Sequence, residues 1–143
     1  MFVINPYKSV DQIKFGMSAS ELISAIGSPL NMSKNHRGET SYRYNEFSVV
    51  LSSDNQTVVE VSMLPGIDPF VDDVSVFGDP DALQRLVQMD GQPYEYVGFI
   101  VLLVLGVTLT GFHDKDESQK AITAFAQGRW DKLRAHLVPF ALS

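Results

Sequence analysis

The 143-residue sequence contains no cysteine. Disulfide scaffolds, zinc–thiolate sites and thiol nucleophiles are therefore excluded, and a reducing compartment is favoured. The sequence also lacks a Gly-x-Ser-x-Gly elbow, a phosphate-cradling glycine loop and a His-Glu-x-x-His pair. We therefore expect a protein that is not an enzyme and that needs no cofactor.

Basic residues are scarce, with 11 lysines and arginines against 17 aspartates and glutamates. No stripe of basic side chains is present, so a nucleic-acid partner is disfavoured. The formal net charge of −6 arises in the middle third, because residues 54–95 hold nine acidic side chains and one basic side chain, Arg85. Two interpretations are open. The segment is a solvated connector and helix face, or it is a docking surface for a cationic partner, since clustered charge of one sign accelerates association.

Long hydrophobic segments are also absent. The first residues hold no sustained apolar stretch, so we expect no secretory signal and a cytoplasmic protein. The longest uncharged run, residues 96–112, is shorter than the roughly 20 apolar residues of a membrane-spanning helix and contains three glycines. Its many β-branched residues favour strands. We predict a buried β-hairpin that turns near Leu105 and Gly106, and no membrane contact.

The overall composition is typical of a globular protein, with 45% hydrophobic and 20% charged residues. A chain of this length buries enough surface for a core of its own without metal or disulfides. We expect one domain, residues 1–143, that is a monomer or a homodimer.

Two helices follow short strand-like leads. The first lead is 13–16, after which Ser18 and Glu21 form a capping box, and Gly27 with Pro29 ends a helix over about 18–27. The second lead is 74–78. Asp79 is the predicted N-cap of the second helix and Pro80 its first residue, and a Gly-x-Pro sequence again closes it.

Strand-like segments follow each helix. The predicted strands are Thr40–Tyr44, Phe47–Leu51 and Thr57–Met63 in the first half, and Val97–Val104 and Val107–Phe112 in the second. Residues 120–127 fit a strand or a helix, and we favour the strand. A C-terminal helix is predicted over about 129–138. The sequence thus predicts an α+β protein made of two tandem helix-plus-antiparallel-sheet repeats, about 9–66 and 70–128, joined through Pro65–Asp73.

The lead Ile13-x-Phe15-Gly16-Met17-Ser18, followed by Gly27-x-Pro29, resembles the repeat of β-lactamase-inhibitor-protein-like and SmpA/OmlA-like folds. The later strings 105–109 and 121–130 resemble small bacterial immunity proteins of polymorphic toxin systems. The resemblance covers about residues 9–135. It implies a bacterial, non-enzymatic protein that binds and neutralises a toxin made in the same cell.

An acidic surface is the predicted means of binding. On this hypothesis aspartates of the middle third dock on a basic protein partner, a toxin or effector domain, and mask it. The residues expected to contact the partner are Asp68, Asp72, Asp73, Asp79, Asp81, Tyr42 and Tyr44. The two tyrosines lie on one strand face, where they pack in the sheet or form an exposed aromatic patch for the partner.

Two alternatives stay open. A small-ligand-binding or assembly module would use the face of the sheet instead of the acidic surface. The cluster His113-Asp114-x-Asp116-Glu117 offers nitrogen and oxygen donors to a divalent ion, or forms a solvated turn. Its spacing is not that of a calcium loop, and we predict no metal site.

Overall fold

The computed structural model describes residues 2–112 and 120–141. Over these residues the protein is an α+β fold dominated by antiparallel sheet, as predicted from the sequence. The strands are β1 (Phe2–Asn5), β2 (Ser9–Val10), β3 (Ile13–Lys14), β4 (Asn31–Lys34), β5 (Thr40–Arg43), β6 (Phe47–Leu51), β7 (Val58–Met63), β8 (Pro69–Val71), β9 (Val74–Ser75), β10 (Pro93–Tyr96), β11 (Phe99–Leu102), β12 (Val107–Thr110), β13 (Ala121–Phe125) and β14 (Val138–Pro139). The helices are α1 (Ala19–Ile26), α2 (Ala82–Asp90) and a 3₁₀-helix at Asp131–His136.

The main sheet has nine strands in the order β14-β10-β11-β12-β13-β7-β6-β5-β4, all paired antiparallel. It consists of two four-stranded meanders, β4 to β7 and β10 to β13, each of which follows one α-helix in the chain, and of the short strand β14, which pairs with the outer edge of β10. The meanders join where β13 pairs with β7, with Ala124 opposite Val61. One continuous sheet therefore links the two halves of the chain.

A second, five-stranded sheet has the order β3-β2-β1-β8-β9. Its central pair, β1 and β8, is parallel, with Val3 opposite Phe70. The sequence predicted a connector at Pro65–Asp73, and this connector contains β8 and the turn that leads into β9. The strands of this sheet have two to four residues, too few for their alternation to be visible in the sequence.

Helix α1 begins as the sequence predicts. Ser18 is its N-cap, the Ser18 Oγ accepts a hydrogen bond from the Glu21 N–H at 3.2 Å, and the Glu21 carboxylate accepts one from the Ser18 N–H at 2.9 Å. Gly27 ends the helix with a φ of 90°. Leu22 is fully buried and fixes the inner face of the helix against the core.

Helix α2 begins two residues later than predicted. Its N-cap is Asp81, which makes no side-chain capping bond, and Pro80 lies before the helix. The Asp79 carboxylate instead accepts a hydrogen bond from the Asp81 N–H at 3.0 Å, which forms a turn ahead of the helix. Because the Asp79 carboxylate is used in this turn, Asp79 does not serve as the N-cap that the sequence predicted. Leu86 of α2 is fully buried.

The core lies between one face of the main sheet and the layer formed by the helices and the small sheet. Residues directly opposite each other on paired strands share a face. One such buried row crosses six strands: Tyr42, Val49, Val61, Ala124, Val107 and Leu102. Leu22 and Leu86 belong to the same apolar cluster, as do Ile4, Val10 and Val71 of the small sheet.

The predicted hairpin in residues 96–112 is confirmed. Strands β11 and β12 pair antiparallel and turn at residues 103–106. The buried Asp90 carboxylate accepts hydrogen bonds from the N–H groups of Val104 and Leu105, each at 2.9 Å, and Tyr7 donates one to the Leu103 carbonyl. Gly106 has a φ of 70°, and a Cβ there would lie 3.1 Å from the Tyr7 ring, so the turn requires glycine.

None of the described helices is long and apolar enough to cross a membrane.

The C-terminal part of the chain differs from the prediction in one respect. Residues 121–125 form strand β13, the favoured alternative for that segment. The helix predicted over 129–138 is instead a 3₁₀-helix at Asp131–His136, followed by β14. Its bonds span three residues, as from the Leu133 N–H to the Trp130 carbonyl at 3.0 Å. Leu137 is extended because the next two residues pair with β10, which ends the helix early.

Candidate functional site

The five predicted aspartates lie together on the exposed part of the small sheet and at the approach to α2. We call this group the acidic corner, and its members are Asp68, Asp72, Asp73, Asp79 and Asp81. Asp68 precedes β8, the next two form the turn between β8 and β9, and the last two precede α2. All are exposed except Asp79, which is half-buried. The structure thus brings together residues that the sequence grouped only by composition.

Arg85 is paired with two members of the acidic corner. Its Nη1 lies 2.5 Å from the Asp79 Oδ2, and its Nη2 lies 3.0 Å from the Asp73 Oδ1. The backbone N–H of Asp81, with help from Arg85, lowers the pKa of Asp79. Among the described residues, Arg85 is the basic side chain bonded to the acidic corner, so its five carboxylates outnumber their bonded cation.

The carboxylates of the other three aspartates differ in whether they are already hydrogen-bonded within the protein. The Asp68 carboxylate accepts a hydrogen bond from the Ser75 hydroxyl at 3.0 Å. The carboxylates of Asp72 and Asp81 are exposed, and neither bonds to a side chain or backbone group within the described part of the chain. These two carboxylates are therefore the ones most available to an incoming cation.

Tyr42 and Tyr44, predicted to contact the partner, lie in the core. They are 6% and 8% exposed: Tyr42 lies on the buried face of β5, and Tyr44 directly follows that strand and reaches the end of α1. The Tyr44 hydroxyl donates a hydrogen bond to the Gly27 carbonyl at 2.8 Å, and its ring stacks on Phe47 with centroids 5.0 Å apart. Burial raises the pKa of Tyr44. The prediction that they offer an exposed aromatic patch is therefore corrected in favour of sheet packing.

The other face of the main sheet carries a row of polar residues across β5, β6, β7, β13 and β12, and this row continues into the buried Val101 of β11. Its cross-strand neighbours follow from the strand register and are mostly small and hydroxylated: Arg43, Ser48, Ser62, Thr123 and Thr108. The hydroxyls of Ser62 and Thr123 lie 2.8 Å apart and share a hydrogen bond. We call this side of the sheet the open face. A cavity of about 420 Å³ lies over its first half and is lined by Arg43, Phe47 and Ser62 among others.

A second cavity of about 440 Å³ lies between the open face and the 3₁₀-helix, and we call it the Trp130 cavity. Its floor carries the hydroxyls of Ser62, Thr108 and Thr123. Its apolar wall consists of Tyr96, Phe99, Trp130 and Leu133. The rings of Tyr96 and Trp130 meet edge to face, with centroids 5.7 Å apart and an angle of 84°. Ser62 lines both cavities, so they adjoin on one face.

An ion cluster borders the Trp130 cavity. The Arg129 guanidinium binds both Glu39 oxygens, at 2.5 and 3.1 Å, and its Nε donates to the Glu60 carboxylate at 3.0 Å. Arg37 lies 3.3 Å from Glu39. Hydrogen bonds from Arg129 lower the pKa of Glu39 to about 2, although burial opposes this. Burial alone would lower the pKa of Arg129, but Glu39 and Glu60 more than offset it, so the pKa is raised.

Sequence reasoning missed the Trp130 cavity. Its floor joins β7 to β12 and β13, which belong to the other half of the chain, and its wall includes the segment predicted as a regular helix. The one signal was the repeated alternation of Ser or Thr with apolar residues in these strands.

Within residues 2–112 and 120–141, no group of three or more His, Asp or Glu side chains is placed to hold a metal. The cluster at 113–117 lies outside the described residues.

Comparison with known proteins gives little further information. No protein-family model matches the chain, and no curated protein matches it. It is similar in structure to an extracellular protein containing an SCP domain from Bacillus anthracis str. Ames, with a TM-score of 0.46 and 14% sequence identity. The match covers 97% of this chain and 53% of that protein, so this chain spans about half its length.

Proposed function

We propose that the protein is a non-enzymatic protein-binding module, an immunity-type inhibitor that masks a cationic toxin or effector through the acidic corner. The observation that carries this proposal is the grouping of five aspartates on one part of the surface, of which only Asp73 and Asp79 are paired with an arginine within the described residues. The partner is a basic protein of the same bacterium, bound in the cytoplasm.

The acidic corner suits this role because ordered backbone holds its carboxylates. The β8–β9 turn is closed by the pairing of Val71 with Val74, and the Asp79 N–H donates to the Ser75 carbonyl at 3.0 Å. Arg85 fixes Asp73 and Asp79, so these side chains lose little further freedom on binding. Asp72 and Asp81 extend the negative charge outward, where it steers a basic partner during encounter.

The arrangement of the chain supports a finer description of the fold. Each half has a short sheet lead, a helix and a four-stranded meander, and the two meanders join edge to edge. We propose that these halves, about 9–66 and 70–128, are tandem repeats of the β-lactamase-inhibitor-protein-like kind. The polar open face is then the second surface available to a partner.

The first experiment is capture of the partner from the native bacterium with the tagged protein, at low and at high salt, read by mass spectrometry. We expect one stoichiometric basic protein whose recovery falls at high salt, because exposed charge pairs are screened. Recovery of the tagged protein alone at both salt concentrations would contradict the proposal.

The electrostatic mechanism is then tested on the purified pair. The double variant Asp72→Asn, Asp81→Asn removes the two available charges and keeps side-chain size, and asparagine tolerates the φ of 54° at position 72. We expect association at low salt to slow by roughly three- to tenfold, with a shallower salt dependence.

The matched control is Asp11→Asn, Glu95→Gln. Asp11 also has a positive φ, of 53°, both residues are exposed, and neither belongs to the acidic corner. This control removes the same net charge elsewhere and is expected to change the association rate less than twofold. Equal rates for the two double variants would overturn the role of the acidic corner.

A further inference from the structure

The Trp130 cavity contains a buried hydroxyl that no part of the described chain satisfies. Thr108 is 5% exposed, its side chain lines the cavity floor, and its hydroxyl has no hydrogen-bond partner among residues 2–112 and 120–141. A buried polar group without a partner destabilises a fold, and such groups are rare. This hydroxyl is therefore positioned for a molecule that enters the cavity.

The neighbouring floor groups can both donate and accept. The hydroxyls of Ser62 and Thr123 share one hydrogen bond, which leaves the second hydrogen of the pair and several lone pairs free. A complementary ligand needs groups that also donate and accept at closely spaced positions. Hydroxyl groups meet this requirement, whereas a carboxylate or an ammonium meets only half of it.

The charge at the rim favours a neutral ligand. The Arg129 guanidinium forms ion pairs with Glu39 and Glu60, and Arg37 also pairs with Glu39. Two arginines therefore face two glutamates, and the described rim has no excess charge. An ionised ligand would lose water without gaining a free counter-charge.

The aromatic wall of the cavity requires a ligand that has one apolar face. Tyr96, Phe99 and Trp130 present aromatic surface opposite the hydroxyl floor. At about 440 Å³ the cavity lies at the small end of the range for ligand sites. A ring with C–H groups on one side and hydroxyls at its rim meets all of these conditions.

We infer that the Trp130 cavity binds a neutral sugar ring, either free or as the end of a glycan. This takes up the ligand-binding alternative for the sheet face, and it is independent of the acidic corner, which contributes no residue to the cavity.

The test uses the indole N–H resonance of Trp130, because the chain has a single tryptophan. The full-length labelled protein is titrated with glucose, galactose, N-acetylglucosamine, cellobiose and maltose. Glucuronate and glucosamine serve as charged analogues, and cyclohexanol as a ring with a single hydroxyl. We expect at least one neutral sugar to saturate the resonance shift with a Kd below about 10 mM, and the charged analogues and cyclohexanol to bind at least fivefold more weakly.

The variant Thr108→Val removes the unpaired hydroxyl and keeps the shape of the side chain. We expect it to weaken binding of the best sugar at least fivefold while leaving the unfolding midpoint unchanged or raised. The matched control is Thr40→Val, which is equally buried but bonds to Gln56 and lies outside the cavity. Its sugar affinity should stay within twofold of the original protein.

Each outcome decides the inference. Saturable binding that depends on Thr108 supports it. Absence of binding by every sugar, equal affinity for glucuronate, equal or tighter binding of cyclohexanol, or binding that survives Thr108→Val would each overturn it. None of these results bears on capture of a basic protein by the acidic corner.

Discussion

Arg129 and Glu39 join two parts of the chain that sequence analysis had left unrelated. Glu39 precedes β5, and Arg129 follows β13 at the other end of the sequence. Both side chains are largely buried, at 15% and 9% exposure, and they share two hydrogen bonds. A buried charge that loses its partner destabilises strongly, so each residue fixes the other in place.

This pair predicts a pH-dependent stability. The folded-state pKa of Glu39 is about 2 against an ordinary value of 4.5, so its contribution is present above about pH 4.5 and is lost as the pH falls towards 2. We expect Glu39→Gln to lower the free energy of unfolding by about 2 kcal/mol at pH 7. The difference from the original protein should narrow in acid, as measured by urea unfolding at pH 7, 5 and 3.

The control for this prediction is Glu95→Gln, at an exposed position of β10. It should change the unfolding free energy by less than about 0.5 kcal/mol at each pH. A difference for Glu39→Gln that stays constant from pH 7 to pH 3 would show that the carboxylate charge has no part in it.

At the scale of elements, the two helices differ in how they begin. Helix α1 has a reciprocal capping box, whereas α2 has an N-cap whose side chain makes no capping bond. We expect Ser18→Ala to lower the free energy of unfolding by about 1 kcal/mol, because it leaves a helix N–H unsatisfied. Asp81→Ala should cost less than about 0.5 kcal/mol. Chemical denaturation of both variants measures the difference, and equal losses would contradict the capping assignment.

The same contrast shows how far the sequence predicts elements. The limits of α1 and β6 and the position of the hairpin turn follow from local signals: a capping box, alternation and a glycine turn. The two hairpin strands are shorter than predicted, at Phe99–Leu102 and Val107–Thr110. The start of α2 does not, because the Asp79 carboxylate bonds to the Asp81 N–H and extends the turn by two residues. The 3₁₀-helix was misjudged because pairing of β14 with β10, a distant contact, decides where it ends.

The sequence also predicts some features of the candidate sites and not others. The acidic corner was found from composition, since its members are close in sequence. Tyr42 and Tyr44 are buried because their side of β5 and of the residue after it faces the core, and alternation alone does not decide which side that is. The sequence does not predict the Trp130 cavity because its floor joins β7 of the first half of the chain to β12 and β13 of the second.

At the scale of the whole molecule, the junction of β7 and β13 predicts a single cooperative unit. Val61 and Ala124 face each other there, and both are buried. We expect Val61→Ala to lower the free energy of unfolding by about 2 kcal/mol through the cavity it leaves. Native-state hydrogen exchange should show the amides of Leu22 in α1 and Leu86 in α2 losing protection at the same denaturant concentration.

The control for this experiment is Val138→Ala, at an exposed position of the edge strand β14. It should leave both helices with their original protection. Separate transitions for α1 and α2 in the Val61→Ala variant would show that the halves unfold independently.

The parallel pairing of β1 with β8 also has a consequence for synthesis on the ribosome. Phe2 of β1 is synthesised well before Pro69, its neighbour in β8, and Met63 of β7 is synthesised well before Ile122, its neighbour in β13. Strand β1 can pair early with β2, but its other edge stays open until β8 has been translated, and the outer edge of β7 stays open until β13 has been translated. Contacts this distant in sequence slow folding and leave strand edges exposed to other chains.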